Sequence, residues 1–95
     1  MAIAAVSISP VGEGTSVSRY VAAALEVVRA QDRVRYRLDP MFTTLEGEME
    51  DIFSLVRRMQ EAVFEAGAVR VGTVIKIDER RDRDVRMEDL SLIHI

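Results

Sequence analysis

The fold is indicated by the stretch RVRYRLDPMFTTLE at residues 33–46, which contains two extended segments joined by a sharp reversal. Apolar residues alternate with three arginines over residues 33–38, so one face of this strand is expected to be exposed to solvent, which is typical of a sheet edge. Pro40 fixes its own backbone angle and keeps Asp39 out of the helical region, which favours a tight turn. We therefore predict a hairpin whose returning strand covers residues 41–46.

Amphipathic helices are predicted on both sides of this hairpin. Apolar residues recur at helical spacing over residues 20–28 and again over residues 52–63, which gives each segment one buried face. Gly67 is a natural stop for the second helix, because glycine takes the left-handed conformation without strain. A hydroxyl side chain in the turn before the first helix is expected to cap it: Thr15, Ser16 or Ser18.

Two further strands complete the predicted sheet. Residues 2–9 are apolar on both faces, which indicates a central strand, and residues 69–77 alternate in a long last strand. The resulting βαββαβ order folds most economically into an α+β, ferredoxin-like sandwich, with a four-stranded antiparallel sheet and two helices on one face. Residues 85–90 predict a partial third helix at the C-terminus.

Length and composition limit the possible classes of protein. With 95 residues the chain is one domain, and a domain of this size buries only about 60 to 65% of its unfolded surface. The chain has no cysteine, which leaves no disulfide or thiolate metal site. The net charge of −3 argues against a nucleic-acid binder, and apolar runs too interrupted by charge argue against a membrane span. Without a signal-like N-terminus, the expected location is cytoplasmic.

The last residues differ from the rest of the chain. Residues 90–95 look like the translation of an adaptor sequence, so we expect a single domain over residues 1–89 followed by a non-native or truncated tail. The sole histidine, His94, lies in that tail, and no functional role is expected for it.

A sheet with helices on one side leaves its other side uncovered. In this chain the uncovered side would carry mostly small or apolar residues: Ile3, Ala5, Ser7, Phe42, Thr44, Gly72 and Val74. Such a surface is too apolar to be left exposed to solvent. We therefore expect self-association into a homodimer or homotetramer, which would also enlarge the core of this short chain.

Catalytic and metal-binding patterns are largely absent from the sequence. With His94 set aside, no nucleophile, histidine and carboxylate set remains, and no glycine-rich phosphate loop is present. The acidic residues near the second helix are ordinary for a first helical turn, so no metal site is predicted. An acylphosphatase-like enzyme would need an asparagine, which this chain lacks, and an RNA-binding sheet would need exposed aromatic residues on its central strands.

Several polar residues have an ordinary structural interpretation when the pattern alone is considered. Glu46 would be a solvent-exposed residue or helix cap, and Thr43 and Thr44 would be strand formers. Arg80 and Arg81 would belong to a solvated, self-paired charge run. The pattern alone thus indicates a small oligomeric ligand-binding or regulatory domain.

A family resemblance extends over the chain to about Asp89. Its matching points are Pro10 at the end of the first strand, the Gly12–Gly14 turn, Tyr20–Val21, Pro40–Met41 with Thr43, Glu46–Glu48, Ala62–Phe64 and Ile75–Asp82. Together they resemble the small thiamine-binding proteins of bacteria and archaea. The resemblance implies a ferredoxin-fold oligomer that binds thiamine or its hydroxymethylpyrimidine moiety, without catalysis and without a cofactor.

The resemblance also implies a set of ligand-binding residues. An aminopyrimidine needs an acceptor for its exocyclic amine, hydroxyls for its ring nitrogens and apolar walls for its faces. Glu46 is the expected acceptor. The expected hydroxyls are those of Ser18, Thr43 and Thr44, and the expected walls are Tyr20, Met41 and Phe42. Arg80 and Arg81 are expected at a subunit boundary or at the rim of the site. The alternative function is a structural or regulatory ferredoxin-like oligomerisation domain without a small ligand.

Overall fold

Six elements follow one another in the predicted order. The computed structural model describes residues 1–12, 17–82 and 86–87. The elements are β1 (Ala2–Pro10), α1 (Ser18–Arg29), β2 (Arg35–Leu38), β3 (Thr43–Gly47), α2 (Met49–Glu65) and β4 (Val71–Glu79). The strands form one antiparallel sheet in the order β2-β3-β1-β4. The predicted ferredoxin-like α+β architecture is confirmed for the sheet and its two helices.

β1 lies at the centre of the sheet, as its apolar character on both faces predicts. It pairs with β3 over residues 2–6 and with β4 over its whole length, from Ala2 opposite Glu79 to Pro10 opposite Val71. β2 lies at one edge of the sheet, with β4 at the other, and all four residues of β2 are exposed. The alternating pattern of the sequence therefore assigned the central and edge positions correctly.

The side chain of Gln31 stabilises the connection between α1 and β2 through hydrogen bonds to the backbone. Its carboxamide oxygen accepts from the backbone N–H groups of Arg33 and Val34, at 3.0 and 2.9 Å, and its nitrogen donates to the carbonyls of Val28 and Val34, at 3.0 Å each. Because these two amides bond to a side chain, they do not join the strand ladder. This explains why β2 begins at Arg35 and not at residue 33 as predicted.

The main core lies between the sheet and the two helices. The apolar face of each helix packs against alternate residues of the central strands, as the helical spacing predicts. The core residues are Ala2, Ala4, Val6 and Leu45 from the sheet, Tyr20, Ala24 and Val28 from α1, Ile52, Leu55, Val56, Met59 and Val63 from α2, and Val34 and Ala68 from the connections. Each large apolar side chain buried in this way contributes about 1.5 to 3 kcal/mol.

The helix ends agree only in part with prediction. Gly67 has a positive φ of 118° just after α2, as predicted. At the start of α1 the cap residue is Val17, which makes no side-chain capping bond, and Ser18 is already the first helical residue. Ser18 is therefore not the cap, and Thr15 and Ser16 lie outside the described residues.

The C-terminal predictions fall mostly on residues that the structure does not describe. The predicted third helix at 85–90 is represented by Arg86 and Met87 alone, and the predicted tail at 90–95 lies outside the described residues. Met87 is buried and packs against Ile3. Within the described part of the chain, neither helix has the length and apolarity needed to cross a membrane.

Candidate functional site

One side of the sheet faces away from the helices, and we call it the open face. Because Ala2, Ala4 and Val6 face the main core, the residues between them on β1, and those paired with them, face the other way. The open face therefore consists of Ile3, Ala5, Ser7, Ser9, Arg35, Arg37, Thr44, Glu46, Gly72, Val74, Lys76 and Asp78. Six of the seven residues predicted for the uncovered side lie on it, whereas Phe42 precedes β3 in the hairpin loop.

Glu46 is buried in the open face, with only 1% of its surface exposed. Its Oε2 atom accepts a hydrogen bond from Nη1 of Arg35, its cross-strand partner, at 2.6 Å. Its Oε1 atom is buried and has no hydrogen-bond partner in the described part of the chain. The prediction of a solvent-exposed Glu46 is therefore wrong, because the paired arginine and the neighbouring strand cover this carboxylate.

Thr44 lies two residues before Glu46 on the same face, and its hydroxyl is already engaged. It donates to Oδ2 of Asp39 at 2.6 Å, while Nε of Arg37 donates to Oδ1 of Asp39 at 3.0 Å. The Thr44 bond, together with the Arg37 guanidinium, lowers the pKa of Asp39 against the opposing effect of burial. Because the Thr44 hydroxyl donates its proton to Asp39 within the hairpin, it can accept a hydrogen bond from a ligand but cannot donate one.

Tyr20 and Thr43 lie on the helix side of the sheet. Tyr20 is buried in the main core, where its hydroxyl accepts from Nη2 of Arg19 at 2.6 Å and the guanidinium lies 4.7 Å from its ring centroid. Thr43 pairs with Val6, which faces the same core. Within one subunit, the sheet thus separates both residues from the carboxylate of Glu46.

Ser18, Met41 and Phe42 are also apart from Glu46. Ser18 is the first residue of α1, a 12-residue helix about 18 Å long. The other end of this helix lies near Glu46, because Gln31 there bonds to Val34, which contacts Gly47. Ser18 is therefore about one helix length away from Glu46. Met41 and Phe42 are exposed in the hairpin loop, Met41 to 78%. Of the seven predicted ligand-binding residues, one subunit brings together only Thr44 and Glu46.

Arg80 and Arg81 pair with neighbouring acids, as the pattern predicts. Arg80 donates to both carboxylate oxygens of Asp82, which raises its pKa, and Arg81 lies 3.6 Å from Glu79. The backbone N–H of Arg80 bonds to the carbonyl of Met1, next to the end of the sheet that holds Glu46. Their role at a rim or subunit boundary stays a prediction.

Two residues at the site were missed by reasoning from the sequence. Arg35 is exposed, as its predicted place on the solvent-facing side indicates, but only counting back from the Asp39-Pro40 turn would also have placed it opposite Glu46. Met87 has no signal in the pattern, because its position depends on a contact with Ile3 far along the chain.

The site therefore offers carboxylate chemistry without a metal-binding cluster. Among residues 1–12, 17–82 and 86–87, no group of three His, Cys, Asp or Glu side chains could hold a metal ion. What the arrangement provides is a buried carboxylate oxygen that can accept a hydrogen bond, an arginine that balances its charge, and apolar side chains beside it. These are features of a site for a ligand that carries an N–H or O–H donor.

Comparison with known proteins agrees with this description. Residues 4–91 match the model of the family described as thiamine-binding protein. YqgV, a UPF0045 protein of Bacillus subtilis, is 46% identical over 92 residues, which cover 93% of this chain and 88% of that protein. The crystal structure of a hypothetical protein from Methanocaldococcus jannaschii superposes with a TM-score of 0.85 at 36% identity, covering 98% of this chain and 95% of that one. The chain therefore belongs to the thiamine-binding protein family.

Proposed function

We propose that this protein binds thiamine or its hydroxymethylpyrimidine moiety on the open face and catalyses no reaction on it. The observation that supports the proposal is the buried Oε1 atom of Glu46, which lacks a hydrogen-bond partner among the described residues. An acceptor buried in this way costs about 1 to 3 kcal/mol, and more when it is charged. A ligand that donates a hydrogen bond to this oxygen would remove that cost.

The aminopyrimidine ring of thiamine has the matching chemistry. Its exocyclic amine is a donor for Oε1 of Glu46, while Arg35 occupies Oε2. The hydroxyl of Thr44 keeps its acceptor capacity although its proton goes to Asp39. Glu46 therefore serves as the main anchor in this proposal, and Thr44 as a secondary contact.

A second copy of the chain would be needed for some of the other predicted residues. Met41 and Phe42 are exposed in the hairpin loop that precedes Thr44, so we propose that they form walls of a site that two subunits share. Val74 on the open face is 61% exposed, which favours coverage of this face by a partner. We therefore propose a homodimer or homotetramer.

Isothermal titration of the purified protein with thiamine and with hydroxymethylpyrimidine tests the proposal. We expect saturable binding of both, with about one site per subunit, and no binding of the isolated thiazole alcohol, which lacks the aminopyrimidine. Chromatography of the ligand after prolonged incubation should recover it unchanged. A folded oligomer that binds neither compound would overturn the proposal and favour the oligomerisation domain without a small ligand.

A further inference from the structure

Met87 and Ile3 form a small buried cluster of their own. Both side chains are almost fully buried, with 6% of Ile3 and 3% of Met87 exposed. The cluster is separate from the main core. Because Ile3 lies on the open face, Met87 covers that face and not the helix side. This methionine is therefore placed differently from Met59, which is buried in the main core.

The cluster lies beside the carboxylate of the proposed site. Ile3 is directly opposite Glu46 in the β1–β3 ladder and directly opposite Asp78 in the β1–β4 ladder. Residues opposite each other in antiparallel strands have Cβ atoms about 4.5 to 5.5 Å apart. Met87 thus contacts the nearest neighbour of Glu46 on β1, on the side of the sheet where the unpartnered oxygen lies.

We propose that Met87, which packs against Ile3, forms an apolar wall of the Glu46 site. In this position it makes the site selective for ligands whose flat, unsaturated ring lies beside the carboxylate. The thioether of methionine is polarisable and makes favourable contacts with aromatic rings, and its unbranched chain adapts to a flat surface. The inference rests on the proposed function, because it names a specificity-determining residue of the same site.

The first test uses the wild-type protein with methionine methyl groups labelled with carbon-13. Titration with hydroxymethylpyrimidine should shift the Met87 methyl resonance as the ligand saturates, because a ring stacked nearby changes the local magnetic field. The Met59 resonance is the internal control and should stay in place, since the sheet lies between it and the ligand. Saturation with an unchanged Met87 resonance would overturn the proposal.

Variants provide the second test. Met87→Ala should weaken hydroxymethylpyrimidine binding about tenfold to a hundredfold, the usual effect of removing apolar contacts from a pocket, whereas Met87→Leu, which keeps the volume but lacks the polarisable sulfur, should weaken it by less than about tenfold. Met49→Ala, which truncates a half-buried methionine on the helix side, is the matched control and should bind normally. If wild type binds and Met87→Ala binds equally well, only this inference fails; if wild type does not bind, the proposed function fails with it.

Discussion

Arg35 and Glu46 face each other across the β2–β3 ladder, with Nη1 of the arginine 2.6 Å from Oε2 of the glutamate. The two partners differ in environment, because half of the Arg35 side chain is exposed and none of the Glu46 side chain is. Without this ion pair the arginine would still be solvated, whereas the carboxylate of the glutamate would be left largely shielded from water. Substitutions at the two positions should consequently have different effects.

Replacing Glu46 by glutamine should weaken thiamine binding. The substitution keeps the shape of the side chain but removes its charge, and spoiling a hydrogen bond to a charged group costs about 1 to 3 kcal/mol. Titration calorimetry measures this loss directly. Glu26→Gln, the same change on the exposed surface of α1, is the control and should bind like wild type. Unchanged affinity in Glu46→Gln would exclude Glu46 as the anchor.

Replacing Arg35 by alanine should lower the free energy of unfolding by about 2 to 3 kcal/mol, because it leaves a buried carboxylate without its cation. Urea unfolding measures the change. Arg33→Ala is the matched control: Arg33 is largely exposed, lies 3.2 Å from Asp51, and its loss should cost less than about 1 kcal/mol. Adding Glu46→Gln to Arg35→Ala should restore part of the stability. Equal, small effects of both arginines would contradict the prediction.

Tyr20→Phe should affect stability and not binding. The hydroxyl of Tyr20 accepts a partly buried hydrogen bond from Arg19 at the edge of the main core, and removing such a bond costs about 1 kcal/mol. Because the sheet separates Tyr20 from Glu46, thiamine affinity should stay at the wild-type value. Thermal melting and calorimetry on the same preparation give both quantities. A large loss of affinity with unchanged stability would instead support the sequence-based assignment of Tyr20 to the ligand wall.

The hydrogen bond from Thr44 should make Asp39 contribute to stability in a pH-dependent way. The pKa of Asp39 is lowered in the folded protein, so the contribution is complete above its ordinary pKa of 3.8 and is lost as the pH falls through the folded value. Thr44→Val should raise the pKa of Asp39 in an NMR titration of its carboxyl carbon, whereas Thr44→Ser, which keeps a hydroxyl, should leave it lowered. An identical titration curve in Thr44→Val would contradict the role of this bond.

Local patterns in the sequence predicted the fold well. Alternation over residues 33–38 identified the edge strand, and the absence of alternation over residues 2–9 identified the central one, because both patterns reflect which faces of a strand meet water. The helical spacing that includes Tyr20 correctly indicated a core position, and this conflicts with its assignment to the ligand wall. The place of Tyr20 in the ligand wall stays a prediction.

The candidate site was predicted only in part, for a physical reason. Alternation placed Thr44 and Glu46 on the same face, but burial of Glu46 depends on residues from other parts of the chain. Ile3 on β1 and Arg35 on β2 are both paired with Glu46, and Met87 contacts Ile3. Such contacts are set by tertiary packing and leave no trace in local spacing, so the pattern favoured an exposed residue.

The pairing of the first strand with the last also affects how the chain folds. β1 obtains its longest set of hydrogen bonds from β4, so this neighbour becomes available only after residues 71–79 have been synthesised. Until then an apolar segment would present an unpaired edge to the solvent, and contacts between such distant residues form slowly. We therefore expect folding to be a late and cooperative event after synthesis of residues 71–79, and shortened chains that lack this strand to aggregate.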